Sequence, residues 1–252
     1  MKLSKSRIAC YTQCPMKYRL RYLDDITVPA TPAMIEGSAL HAIVEAGLRA
    51  EDISRASNDY WSTLSLFDTA YANDQSMEEA KVKVLGEARR FLELIGPLNV
   101  YDVETYMEGH LTNPVTGEVD FGIVLHGYAD LLIADDTGTR VVDIKTSART
   151  PSVSAADRSI DLDVYGALFT QTFGHNDVDA DLLYLVRTRE PKTLWLRSYR
   201  DPFDFQRLFE TVQQVHYGIT HELFWRSPSM LCASCPYCGL CFENCHADRK
   251  VA

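Results

Sequence analysis

Two carboxylates and a lysine stand in a pattern that suits phosphodiester chemistry. Asp130 lies in the run GYADLLIAD and Asp143-Ile144-Lys145 in TRVVDIKTS, separated by the turn signal Asp135-Asp136-Thr137-Gly138. Their apolar neighbours place both acids on adjacent antiparallel strands entering a core, where a carboxylate is costly unless a metal or strong hydrogen bonds hold it. Alternation along a strand points Asp143 and Lys145 to one face, about 7 Å apart. Paired carboxylates can hold Mg²⁺ or Mn²⁺, which polarises a phosphate and acidifies a bound water, while a lysine beside them orients that water or stabilises developing charge. Asp-x-Lys alone is common on surface strands; the hairpin partner with its own embedded acid makes the pattern specific.

Other residues fit the same chemistry less specifically. His41 can add a nitrogen ligand from a helix, against the bland reading of a satisfied core histidine. Glu45 lies one helical turn on; its bland reading is a surface partner of Arg49, and that of Glu104 a solvent-facing strand residue. Five cysteines fall between Cys232 and Cys245, with Cys10 and Cys14 far upstream. Such clustering signals metal: two pairs suit structural zinc, and four thiolates with uneven spacing suit an iron-sulfur cluster.

Composition sets the frame. At 252 residues and 46% hydrophobic, the chain can build one substantial core. No run approaches the roughly 20 apolar residues that span a bilayer, and MKLSKSRIACYTQCP lacks the apolar stretch of a signal peptide, so the expected location is the cytoplasm, with no membrane partner. Seven cysteines in a reducing compartment point to metal rather than disulfides. The net charge of −10 argues against nonspecific coating of nucleic acid. It does not exclude a nuclease, whose basic residues need only line the path to the metal; Lys17, Arg19, Arg21, Arg187, Arg189 and Lys192 are candidates.

Helical spacing is expected over residues 4–24, broken or restarted at Pro15, then after a turn-like TVPATPAM segment from Gly37 through LHAIVEAGLRA, and again over 51–97, ending at Gly96-Pro97. Strands are expected in VYDVETYMEGHL, VDFGIVLHGYADLLIAD and TRVVDIKTS, then in DADLLYLVRT and KTLWLRSY. Helices are expected over 160–173 and 202–225. The order describes an α/β core flanked by helices.

Together these residues resemble the RecB-like branch of the PD-(D/E)xK nuclease superfamily, particularly its iron-sulfur members: CRISPR-associated RecB-like exonucleases, the AddB nuclease domain and related phage exonucleases. The resemblance runs nearly end to end. It implies one nuclease domain over 1–252 with a restriction-endonuclease-like core, a central mixed β-sheet flanked by helices. Within it, 1–35 and 226–252 form the iron-sulfur region, 36–97 a helical region and 98–225 the nuclease core. Gly37-x₃-His41 resembles the motif that supplies a histidine ligand. Asp130 and Asp143 resemble the metal-binding acids, joined by the Ile144 backbone carbonyl, and Lys145 the catalytic lysine.

The Cys-Pro pair at Cys14 and the run Cys232-x₂-Cys235-Pro-x₄-Cys241 resemble the ligands of a 4Fe-4S cluster, leaving Cys10, Cys238 and Cys245 surplus. The family's Gln-x₃-Tyr motif corresponds here to Asp161-x₃-Tyr165, so Tyr165 carries over as a catalytic residue and Asp161 departs.

The implied function is a metal-dependent DNA exonuclease on single-stranded or frayed ends, 5′ to 3′ favoured, in recombination, repair or end processing. Its partners would be DNA and recombination or CRISPR-type proteins. The competing reading is a catalytically weak nucleic-acid-binding subunit with the same fold and cluster; a zinc-stabilised protein or an electron carrier is a third. No G-x₄-G-K-[ST] loop is present, so this chain carries no ATP-driven motor of that type.

Overall fold

The computed structural model describes residues 1–65, 69–135 and 138–241. Two expected features fall partly outside these: the turn through Asp136 and Thr137, and the C-terminal segment with Cys245.

The chain opens with a three-residue strand, β1 (Lys2–Ser4), which leads directly into α1 (Lys5–Gln13) and α2 (Pro15–Tyr22). Cys14, in extended conformation, separates the two helices. The break follows from Pro15, which lacks the N–H that would continue α1 and favours an extended residue before it, yet suits the first position of a new helix. Pro32 acts in the same way. It opens α3 (Pro32–Leu48) behind the Thr31 cap, so this helix starts well before the expected Gly37. The stretch expected as helix over 51–97 forms α4 (Ile53–Ser62) and α5 (Asp74–Ile95), the second starting at a capping box of Asn73 and Ser76.

Next come β2 (Val100–Thr112), β3 (Val119–Asp135), β4 (Gly138–Ser147), α6 (Ile160–Phe173) and β5 (Val178–Val186). The expected strand over 192–199 divides into β6 (Lys192–Leu196) and β7 (Tyr199–Arg200), which pair with different ends of β5. Helix α7 (Pro202–Thr220) ends five residues before the expected 225, followed by a 3₁₀ turn at Met230–Ser234 and α8 (Cys238–Cys241).

Among the described residues the strands form one seven-stranded mixed sheet with a path β1-β3-β4-β5-β6. β1 and β4 share one edge of β3. β1 runs parallel to residues 124–126, β4 antiparallel to 131–135, and β2 occupies the opposite edge along most of the length. Residues 127–130 of β3 therefore face a fork, beyond which β4 continues parallel to β5.

Helices cover both faces. On one, Leu3, Ile8, Tyr11 and Tyr18 pack with Met107, Ile123 and Leu125 of the sheet and with Leu168, Phe205 and Val212 of α6 and α7. On the other, Ile43, Val44, Trp61, Val84 and Phe91 of α3 to α5 pack on Leu131, Ile133, Val142, Ile144 and Leu183. This α/β/α layering is that of a restriction-endonuclease-like core.

The N-terminal helices are fastened to the far end of the chain. The Tyr11 hydroxyl donates to the Leu223 carbonyl (2.7 Å), and its ring packs edge-on against Tyr18, Phe224 and Trp225. A Cβ at Gly218 of α7 would lie 2.0 Å from that hydroxyl. Because Tyr11 is buried and held on several sides, Gly218→Ala should cost about 1–3 kcal/mol through overpacking, measured as a lower urea midpoint at unchanged slope. An unchanged midpoint would show that α1 moves aside freely.

Candidate active site

The fork in the sheet gathers the acids. Leu131 pairs with Val142, so one more step of that register sets Asp130 opposite Asp143, and both are buried. The ladder between β3 and β4 stops here. The Ile144 N–H donates to Asp130 Oδ2 (2.6 Å). In an extended strand the N–H and C=O of one residue point to the same side, so the Ile144 carbonyl is turned toward the same gap.

Helix α3 supplies the next groups. A Cβ at Gly37 would come within 3.0 Å of Thr146 Oγ1, so glycine lets the helix approach β4 closely. One turn on, His41 Nε2 lies 3.2 Å from Asp130 Oδ2. A further turn on, Glu45 Oε1 lies 3.0 Å from His41 Nδ1. One ligand atom each from His41, Glu45 and Asp130 falls within 4.8 Å of the others, a grouping that could hold a metal ion.

Glu104 completes this side. The pairs Val103 with Leu131 and Thr105 with Ala129 set it opposite Asp130, with φ at 59°. In this left-handed conformation, costly for a non-glycine residue, β2 changes face: Val103 packs with α3 and α5, Met107 with the opposite layer. The Glu104 carboxyl is pushed up to about 7 by burial, by a hydrogen bond shared with Glu45 and by the charges of Glu45 and Asp130.

Two lysines flank the other acid. Asp143 has no exposed surface; Lys5 Nζ lies 2.6 Å from its Oδ1 and Lys145 Nζ 2.7 Å from its Oδ2. Lys145 also pairs with Asp161 in the first turn of α6. Tyr165, one turn further, is buried against the strand at Gly127, where a Cβ would lie 3.0 Å from its ring, and Lys5 Nζ sits 4.4 Å from its ring centroid.

Burial pushes the Asp143 carboxyl up and the charge of Asp130 adds to this, against the pull of Lys5 and Lys145. Burial also raises Asp130, but the His41 hydrogen bond, the Lys5 charge and the Ile144 N–H outweigh it and its carboxyl is held low. The Tyr165 hydroxyl is raised, first by burial and then by the three nearby carboxylates, so it stays protonated.

Glu45 Oε1 and Asp143 Oδ2 are buried, and each is met by a cationic partner rather than by a backbone donor, His41 Nδ1 at 3.0 Å and Lys145 Nζ at 2.7 Å. The grouping of His41, Glu45 and Asp130 could hold a divalent cation, and its carboxylate oxygens suit Mg²⁺ or Mn²⁺. The residues present therefore fit such an ion.

His41, Asp130, Asp143, Lys145 and Tyr165, singled out from sequence, meet at one place. Glu45 and Glu104 correct their bland readings: Glu45 is buried beside His41, and Glu104 turns in beside Glu45. Arg49 instead donates to the Val103 carbonyl. The helical spacing of His41 and Glu45 was the available signal; Glu104 offered none, because its backbone conformation is not a local preference. Lys5 was invisible, since only the pairing of β1 with β3 brings it in. Arg187, a candidate for the nucleic-acid path, is instead held between Glu36 and Glu87.

A second grouping lies at the other end of α1. Cys14, Cys232, Cys235 and Cys241 line one small cavity together with Lys17, Arg226, Tyr237 and Cys238. These four thiols and that of Cys10 are free. Burial raises the Cys10 thiol. Four thiols at one cavity are the donor set of an iron-sulfur or structural zinc centre.

Residues 2–242 match the sequence model of the PD-(D/E)XK nuclease superfamily. The chain belongs to that superfamily. PD-(D/E)XK nucleases use divalent metals, which agrees with the histidine and carboxylate grouping at the fork.

No curated protein matches the chain. Among solved structures it is similar to SSO0001 (16% identity, covering 95% of this chain and 85% of that one, TM-score 0.44). It is also similar to a candidate exonuclease from Eubacterium rectale (15% identity, 88% and 80%, TM-score 0.46). A third similarity is to LHK-Exo in complex with dAMP (14% identity, 74% and 95%, TM-score 0.26). No helix of the described residues is long and apolar enough to cross a membrane.

The site also predicts how metal-free protein responds to pH. The His41 imidazole is raised from 6.5 to about 10: burial works to lower it, but contacts with Asp130 and Glu45 prevail. A group whose folded pKa exceeds its unfolded value stabilises fully below the unfolded pKa and loses that contribution as pH rises through the folded one. In EDTA, wild-type stability from urea titration should therefore fall between pH 7 and 10, and His41→Gln should show a shallower fall. Equal slopes would show that the imidazole carries no charge there.

Proposed function

We propose that this PD-(D/E)XK nuclease is a divalent-metal-dependent DNA exonuclease acting on single-stranded or frayed ends, with 5′ to 3′ polarity favoured. The supporting observation is the fork itself: His41, Glu45 and Asp130 grouped closely enough to hold a metal ion, with the buried Asp143 and its lysine beside them.

In this reading His41, Glu45, Asp130, Asp143 and the Ile144 carbonyl would hold Mg²⁺ or Mn²⁺. Such an ion would supply Lewis acidity toward the scissile phosphate and a water of lowered pKa. Lys145, held by Asp143 and Asp161, places its ammonium where it orients that water or offsets charge developing on the phosphate. Tyr165 keeps its proton and closes the α6 side of the gap, holding bulk water away from the acids.

The preference for a single strand draws on an exposed face of β2 and β3 that starts two residues beyond the acids. Tyr106 and Tyr128 lie side by side with ring centroids 5.0 Å apart, and His126 follows at 6.5 Å from Tyr106. Further out, His110 meets Phe121 at 5.2 Å. Unpaired bases stack on exposed rings of this kind, whereas a duplex keeps its bases inside.

The cysteine cavity supports a 4Fe-4S cluster held by Cys14, Cys232, Cys235 and Cys241 as a structural clasp, with roles in recombination, repair or CRISPR-type processing as the setting. A reading as a catalytically weak nucleic-acid-binding subunit has one observation in its favour, the engagement of Lys145 by two carboxylates.

End-labelled oligonucleotides decide between these readings. The anaerobically purified protein should degrade single-stranded DNA with Mn²⁺ or Mg²⁺ and stop in EDTA, while Asp143→Asn and Lys145→Met should each lower the rate at least about 10²-fold with folding intact. Wild-type protein that binds the oligonucleotide without cutting it would favour the binding subunit. For the clasp, Cys14→Ala or Cys235→Ala should bleach absorbance near ~400 nm and lower the melting temperature, since metal binding to a site absent from the unfolded chain is folding free energy. Zinc without iron in the purified protein would refute the iron-sulfur assignment.

A further inference from the structure

Lys5 stands at the active site without belonging to the constellation that the sequence marked. Ser4 pairs with His126 of β3, one residue short of the fork, and caps α1, so the first residue of that helix emerges at the gap. The Lys5 side chain is mostly buried, stretched over the Tyr165 ring, with its ammonium 2.6 Å from Asp143 Oδ1. Burial works against the charge, but Asp143, Asp130 and Asp161 outweigh it and the pKa is raised.

The two oxygens of Asp143 thus each face an ammonium, Lys5 on Oδ1 and Lys145 on Oδ2. A cation drawing on Asp143 meets like charge on both sides, so one ammonium must withdraw. The two are not held equally. Lys145 is anchored at a second carboxylate, Asp161, whereas the ion pair found for Lys5 is the one with Asp143.

We propose that Lys5 is an exchangeable counter-ion: it occupies Asp143 until a divalent metal enters, and the displaced ammonium then takes a phosphate of the incoming strand. The residue thereby links metal entry to substrate binding. Without substrate it competes with the metal, and with substrate it offsets backbone charge next to the scissile bond. The idea rests on the nuclease reading of the site and adds to it a positioning residue with opposite effects on the two steps.

Those opposite effects form the test. Calorimetric titration with Mn²⁺ alone, without DNA, should give about tenfold tighter binding for Lys5→Met than for wild type. The same variant should cleave single-stranded DNA with a raised KM, and the gain in Mn²⁺ affinity that phosphorothioate-linked oligonucleotide confers on wild type should disappear. Lys5→Arg, which keeps the charge, should hold Mn²⁺ as wild type does and recover much of the KM. A residue that merely stabilised the fold would weaken metal binding in Lys5→Met, and that outcome, or unchanged affinity, overturns the proposal. Should Lys5→Met fail to fold, Lys5→Gln carries the same titration. Tighter Mn²⁺ binding in a protein that cleaves no DNA would sustain the exchange and reject the nuclease reading; cleavage with unaltered Mn²⁺ affinity would do the reverse.

Discussion

The hydrogen bond from the Ile144 N–H to Asp130 Oδ2 is the hinge of this molecule. A strand interior ordinarily spends its N–H groups on the neighbouring strand, and a buried N–H left alone is expensive. Here β3 gives one edge to both β1 and β4. The ladder opens between them, and a side-chain carboxylate substitutes for the missing backbone acceptor. That substitution fixes Asp130 against β4, and His41, Glu45, Glu104 and Asp143 gather around it. Packing on both faces of the sheet keeps the gap from closing. On the α3 side Ile43 and Val44 share a core with Ile144, and on the α6 side Tyr165 packs against Gly127.

The electrostatic balance follows from that geometry. Several carboxylates in a poorly hydrated space repel one another, and the chain answers with cations from three different segments: His41 from α3, Lys145 from β4 and Lys5 from α1. Burial and mutual repulsion raise Glu104 and Asp143, while imidazole and ammonium partners hold Asp130 low. A site so composed is tense without a dication and is relaxed by one, which is a physical reason for members of this superfamily to be metal-dependent.

Much of this was legible in the sequence where the signal was local. The long strands, the hairpin between Asp130 and Asp143, helix α6 and the period-two relation of Asp143 to Lys145 were all readable from alternation and spacing. Proline was harder to read, because the same residue ends one helix and begins another: Pro15 followed expectation, whereas Pro32 opened a helix inside an apparent turn. The helical reading of 51–97 did not use the capping signal at Asn73, where the second of two helices begins. Lys5 and Glu104 lay beyond reach for a different reason. Each owes its place to pairing between strands distant in sequence, and a three-residue strand such as β1 has no periodicity to detect.

The fastening of α1 to residues 223–225 has a temporal meaning as well. Lys5 is made long before Leu223, yet the helix that carries it leans on the carbonyl of Leu223 and on the Trp225 ring through Tyr11. Contacts of such sequence separation carry a large loop-closure cost and tend to form late in folding. During synthesis the acids around Asp130 would be assembled before their N-terminal counter-charge is secured. The growing chain would then pass through a stage in which its carboxylates are grouped but not yet balanced.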